Sequence, residues 1–128
     1  NESSAASDVY KRQVNYRVIR YADVLLMAAE AHNQLGNDVD AVDYLNQVRQ
    51  RVGMPVRTST GNDLYEHILK ERRSELSCEG HRFFDLVRTG KAAEEIVDFE
   101  TGKHELFPIP QVEIDLAGGN WAQNPKYN

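Results

Sequence analysis

The chain has a single cysteine, Cys78, among its 128 residues, so no disulfide can form within it. Extending the apolar arc of its helix places this thiol at the arc's edge, where it is expected to be buried and inert. No apolar run approaches the roughly 20 residues a helix needs to cross a bilayer, and no signal peptide is visible. The formal charge of −5 argues against nucleic acid or an anionic membrane as partner, because both select basic surfaces. His32, His67, His81 and His104 are scattered, with no HExxH pattern and no cysteine companions, so no metal site is expected. Asn37, Asp38 and Asp40 superficially resemble a calcium loop, but its glycine and terminal glutamate positions fail, and helix capping explains them better. There is no phosphate-cradling glycine loop, and Ser74 and Ser77 have no base in reach. No cofactor is expected.

What is present is helical. Hydrophobic residues make up 41% and charged residues 27%, ordinary for one globular domain. Residues 1–13 are small, polar and aperiodic. DVYKRQ within them matches the translation of a transposon end used in sequencing libraries, so 1–13 are expected to be a disordered or non-native leader. The chain begins at Asn1 without an initiator methionine, and a longer parent is expected.

From residue 14 the pattern is regular. Residues 19–35, IRYADVLLMAAEAHNQL, read as a helix with apolar residues around most of its wheel and a polar strip of Asp23, Glu30 and Gln34. A helix apolar on two sides is expected to be sandwiched between neighbours. Gly36 supplies a C-cap, Asn37 or Asp38 caps the next helix, and Ala41, Leu45, Val48 and Val52 form its stripe. Together 19–52 form an antiparallel pair resembling one tetratricopeptide repeat, a unit that cannot bury its faces alone. A third helix is expected over 62–79, capped by Asn62 or Asp63 and ended by Gly80. A short helical segment follows at 81–95. Residues 96–107, with Thr101-Gly102-Lys103 at the centre, read as a β-hairpin, and 108–128 as an irregular tail anchored by Trp121 and Tyr127. The fold class is therefore mainly α: tetratricopeptide-like helix pairs with a small C-terminal hairpin.

The stretch ILKERRSELSCEGHRFFDLVR carries the chemistry that needs explaining. Arg72, Glu75 and Glu79 project inside the apolar arc of the third helix, where a charge is costly unless paired. Arg72 has carboxylates three and seven residues on, so Glu75 or Glu79 is its expected partner, and Arg82 or Arg88 that of Asp85. Arg72, Glu75, Glu79, Asp85 and Arg88 are thus expected to form a structural ionic node. The alternative is glycoside hydrolysis by a carboxylate pair drawn from Glu71, Glu75, Glu79 and Asp85. Interleaved Arg72 and Arg73 oppose it, since a neighbouring arginine favours the ionised carboxylate and a general acid must hold its proton. Trp121, beside Asn120, Gln123 and Asn124, is a candidate platform for a sugar ring; the competing reading is that it pins the tail.

Four blocks in order resemble the SusD/RagB family of outer-membrane glycan-binding lipoproteins. They are IRYADVLLMAAEAHNQLG with LNQVRQRVGMP, then ERRSEL followed by EGHRFFDLVR, then LFPIPQVEI, and finally QNPKYN. Thr89 stands where a tryptophan is common, and Lys126 replaces a terminal glycine. The resemblance implies a C-terminal region, residues 14–128, of a mostly helical, non-enzymatic protein of Bacteroidetes-type polysaccharide utilisation. It implies lipid anchoring on the outer face of the outer membrane, through an anchor outside this chain. It also implies an oligosaccharide ligand and a TonB-dependent transporter of the SusC type as partner. By the same resemblance, glycan contacts come mostly from regions upstream, and no signature residue here is assigned to a sugar. A tetratricopeptide-like protein-interaction module is the alternative function.

Overall fold

A computed structural model describes residues 18–127, which divide after Glu75 into two compact units. Residues 1–13, expected to be a leader, lie outside the described residues.

The first unit contains helices α1 (Tyr21–Gln34), α2 (Asp38–Arg51) and α3 (Gly61–Glu75). The α1–α2 turn is set by Gly36, whose φ of +79° is in the left-handed region that only glycine enters cheaply. There Gly36 N donates to Asn33 O at 3.0 Å and Asn37 N to His32 O at 2.9 Å, closing a Schellman cap. Asn37 then caps α2, its side chain accepting from Asp40 N. The chain therefore doubles back within two residues, and the apolar stripes of α1 and α2 face each other. α3 lies against both. Leu25, Leu26 and Ala29 of α1, Ala41, Leu45 and Val48 of α2, and Leu64 and Ile68 of α3 form one buried cluster.

Several expectations are corrected in this unit. Among the described residues of this unit α1 is covered on one side only: Tyr21, Val24 and Met27 remain exposed, as does Leu35 at its C-cap, because α2 and α3 both cover the same side of it. Asp23, assigned from the wheel to a polar strip, is buried. α3 is capped from outside its own sequence. Gly61 N donates to Asp38 Oδ2 at 2.6 Å, while buried Asn33 donates to Gly61 O and Asp38 Oδ1. Asn62 and Asp63 fall inside the helix instead of ahead of it.

α3 also ends earlier than expected, at Glu75 and not at Glu79. Residues 76–80 form turns, and both Cys78 (φ +65°) and Gly80 (φ +83°) are left-handed. The rotation carries Cys78 off the apolar arc, so the thiol is exposed and not buried.

The second unit holds α4 (Arg82–Arg88), α5 (Ala92–Glu95) and α6 (Gln111–Leu116). No strand occurs among the described residues, so the hairpin over 96–107 is not formed. Asp98 is left-handed, with φ +61°, which breaks the extended backbone a strand requires. Glu100 O then accepts from Lys103 N and from His104 N, at 3.2 and 3.0 Å, winding the segment into helical-type turns. Nor is the tail irregular throughout, since Pro110 opens α6 and its carbonyl accepts from Glu113 N at 2.9 Å. Proline has no N–H to lose at a helix start, which suits Pro110 to the position ahead of α6.

Leu45 is wholly buried at the meeting of all three helices, where no exposed neighbour can move in to fill a void. Replacing it with alanine is expected to cost about 2–5 kcal/mol in urea denaturation. Leu35→Ala, on the bare side of α1, is expected to change stability by less than about 0.5 kcal/mol.

Candidate functional site

One turn near the end of α3 carries the charges that tie the first unit together. Arg72 Nη1 donates to Asp23 Oδ1 of α1 at 2.9 Å, and both side chains are only 5% exposed. One residue earlier, Glu71 accepts from Arg49 of α2, whose Nε also donates to Pro55 O at 2.8 Å. One turn later, Glu75 accepts from Arg20, just ahead of α1, and from Arg51 of α2 at 2.7 Å. Three residues of α3 thus make four contacts with the helix pair, to partners from 22 to 55 residues away in sequence.

The amphipathic wheel located these charges but looked for the partner of Arg72 on its own helix, at Glu75 or Glu79, whereas Asp23 of α1 accepts from it. Glu75 is held by Arg20 and Arg51. Arg72 is held by Asp23, an acid that periodicity placed on a polar strip. Arg20, Asp23, Arg49 and Glu71 were missed as partners. The available signal was that Arg72 and Glu75 needed compensating charges and that the facing helices carried some.

The other expected members lie in the second unit. Asp85 is buried in α4 and accepts from Arg88 Nε at 2.9 Å, one of the two pairings left open. Arg82 instead meets Glu95 at 2.8 Å. Glu79 lies in the turns after α3.

Trp121 is 55% exposed, and the amides beside it are engaged elsewhere. Gln123 accepts from Ile109 N and donates to Ile109 O, both at 2.8 Å, and Asn124 donates to Phe107 O. The hydroxyl of Tyr127 donates to Leu106 O at 2.8 Å. These bonds stitch 123–127 along 106–109. Beside the seam is an open cleft of about 410 Å³, lined chiefly by Phe83, Phe99, Phe107, Tyr127, His104 and Asp98. Aromatic walls with a carboxylate and an imidazole at the edge can hold a flat apolar face while fixing a polar rim.

The tail is also fastened by charge. Lys126 Nζ lies 2.8 Å from Glu100 Oε1 and donates to Thr101 O at 2.9 Å. The Lys126 hydrogen bond, with the positive charges of Lys126 and Lys103 nearby, holds the Glu100 carboxyl below its ordinary 4.5. Glu105 is lowered too, chiefly by the Gly102 N–H that it accepts.

This is a small helical scaffold of tetratricopeptide type that offers clefts and ion-paired carboxylates. Residues 1–105 match the SusD family, and the chain belongs to it. The match begins at residue 1, within the stretch set aside above as a leader. Among relatives, SusD-like protein P38 of Formosa agariphila is 43% identical over 62% of this chain and 18% of its own length. SusD-like protein P2 of the same organism is 30% identical over 96% of this chain and 28% of its own. A crystal structure of a SusD homolog from Bacteroides thetaiotaomicron superposes with a TM-score of 0.78 at 33% identity, covering 87% of this chain and 25% of that one. The chain therefore spans only about a fifth to a quarter of the length of such relatives.

Two outcomes follow. Arg72→Ala leaves Asp23 buried without its cation, and unfolding by urea is expected to show a loss of about 3–5 kcal/mol. Glu100, with a lowered folded-state pKa, stabilises the tail's attachment above its unfolded value near 4.5 and loses that contribution as pH falls through the folded value. Nuclear magnetic resonance of the Gly102 and Lys126 signals is expected to show release only below 4.5, and Lys126→Met is expected to bring the Glu100 midpoint back toward it.

Proposed function

We propose that this chain is the C-terminal part, over 14–128, of a non-enzymatic oligosaccharide-binding lipoprotein at the outward face of the bacterial outer membrane. In this reading the whole protein captures glycan and passes it to a TonB-dependent transporter of the SusC type. The observation that carries the proposal is membership of the SusD family, with the match running over residues 1–105. The exposed side of α1 supports a longer parent, because tetratricopeptide-like pairs are stabilised by stacking on further helices.

The ionic ladder supports a binding role over hydrolysis. A general acid must carry a proton on the oxygen from which it donates. Glu75 is gripped by two arginines and Glu71 by a third, so guanidinium N–H groups occupy the positions where that proton and the substrate oxygen would sit. The exposed indole of Trp121 and the aromatic cleft beside Tyr127 supply apolar faces of the kind that sugar rings stack on.

A glycan array probed with the full-length parent is expected to give saturable binding to at least one class of oligosaccharide, with no shortening of the bound glycan. Binding to no glycan, alongside retention of a transporter peptide, would overturn the carbohydrate reading and favour a tetratricopeptide-like protein-interaction module.

A further inference from the structure

The first unit has a cleft of about 400 Å³ that borders the ionic ladder. Its chemistry is unlike the rest of a chain whose formal charge is −5. Arg57, Lys70 and His67 line it together with Val52 and Met54, and the ion-paired Arg49, Glu71 and Glu75 complete its wall.

The carboxylates here are already used. Glu71 accepts from Arg49, and Glu75 from Arg20 and Arg51. Arg57 and Lys70, by contrast, have no acidic partner among the described residues. Arg57 Nε goes further: it is a buried N–H with no acceptor. Arg57 as a whole is only half-buried, and an unsatisfied charged donor is a cost that an anion in the cleft relieves once the side chain turns toward it.

The position of Arg57 is imposed by the fold. Asn46 of α2 accepts from Arg57 N at 2.7 Å and donates to Arg57 O at 2.9 Å, so a side-chain amide grips the loop as a neighbouring strand would. His67 is likewise fixed, with Nδ1 2.8 Å from Ser59 Oγ. A loop clamped on both backbone atoms holds Arg57 in place before any ligand arrives, beside a helix that presents Lys70.

We propose that this cleft is a subsite for the acidic group of an anionic glycan, either a uronate carboxylate or a sulfate ester. The inference rests on the glycan-binding reading above and names the substrate class. The guanidinium fork of Arg57 matches two oxygens of a carboxylate or sulfate, and Lys70 adds a mobile point charge. Val52 and Met54 offer apolar surface to the C–H face of the same ring. Such a wall suits a sugar better than a bare inorganic anion.

The test follows the Arg57 Nε–Hε resonance of the full chain during titration. The probes are an oligogalacturonate, a sulfated galacto-oligosaccharide, a neutral galacto-oligosaccharide of matching length, inorganic sulfate, and an acidic peptide. A saturable shift with one or both anionic saccharides, and none with the neutral one, is expected; which of the two acts distinguishes carboxylate from sulfate. Arg57→Gln and Lys70→Gln are each expected to weaken that binding about tenfold or more. Lys70 is exposed, so its variant keeps the test valid if the Arg57 change disturbs folding. Equal affinity for inorganic sulfate would mean an adventitious ion only and would overturn the proposal. Tighter binding of the acidic peptide would overturn it in favour of a protein segment. If neutral saccharide binds elsewhere while the anionic ones leave Arg57 unmoved, this subsite fails and the glycan reading stands. If the full-length parent binds no saccharide, both fail.

Discussion

The contact between Arg72 and Asp23 is the one on which the arrangement of the first unit depends. An acid and a base lie together out of water, and Asp23 is tolerable there because the Arg72 guanidinium donates to it. Apolar packing among Leu26, Leu45, Leu64 and Ile68 supplies most of the drive to bring three helices together, but it is indifferent to small slips along their axes. A guanidinium that must meet one carboxylate is not indifferent. Glu71 and Glu75 repeat the requirement on either side of Arg72, so α3 docks on the α1–α2 pair in a single register. At the far end of α3, Asn33 and Asp38 hold Gly61. The helix is fixed at both ends by polar groups and filled between them by apolar ones.

The same economy recurs in how loops are held. Asn46 grips Arg57, and Gln123 grips Ile109, each through a pair of bonds to one residue's N–H and carbonyl. A planar amide presents a donor and an acceptor at the spacing of a peptide unit, so it can stand in for a strand where the backbone has no partner. Segments that would be loose in a purely helical protein become rigid enough to present side chains. That rigidity turns Arg57 from a surface arginine into part of a shaped cleft.

Helix periodicity made the first unit readable. Of the expected stripe Ala41, Leu45, Val48 and Val52, the first three are buried, while Val52, at the C-cap of α2, is exposed; the Gly36 turn joins the pair. Family membership was legible in four short blocks. What periodicity could not supply was pairing across elements. It sees Arg72 as a charge on an apolar arc and looks for relief on the same helix, whereas the relief comes from Asp23, 49 residues away. Helix ends fared worse for the same reason. The cap of α3 is Asp38, which no local window around Gly61 contains. The hairpin failed on backbone conformation: IVDFE and HELF alternate like strands, but left-handed Asp98 and the Glu100 turn take the segment elsewhere. A lone two-stranded hairpin has little stability of its own in water, so a few local hydrogen bonds suffice to displace it.

A buried ion pair is a poor way to gain stability, since matched apolar residues often do as well or better. Its persistence in α3 therefore calls for another role, and geometry suggests one. The carboxylates that the ladder consumes are those that would otherwise neutralise the neighbouring cleft. With Glu71 committed to Arg49, and Glu75 shared between Arg20 and Arg51, none is left over for Arg57 and Lys70. The contacts that set the helix register thereby leave a positively charged cleft on a negatively charged chain. Structure and recognition would then be coupled through charge accounting. Removing Arg49, which lines the cleft as well as holding Glu71, would take away one wall cation and free Glu71 to oppose an anion beside Lys70.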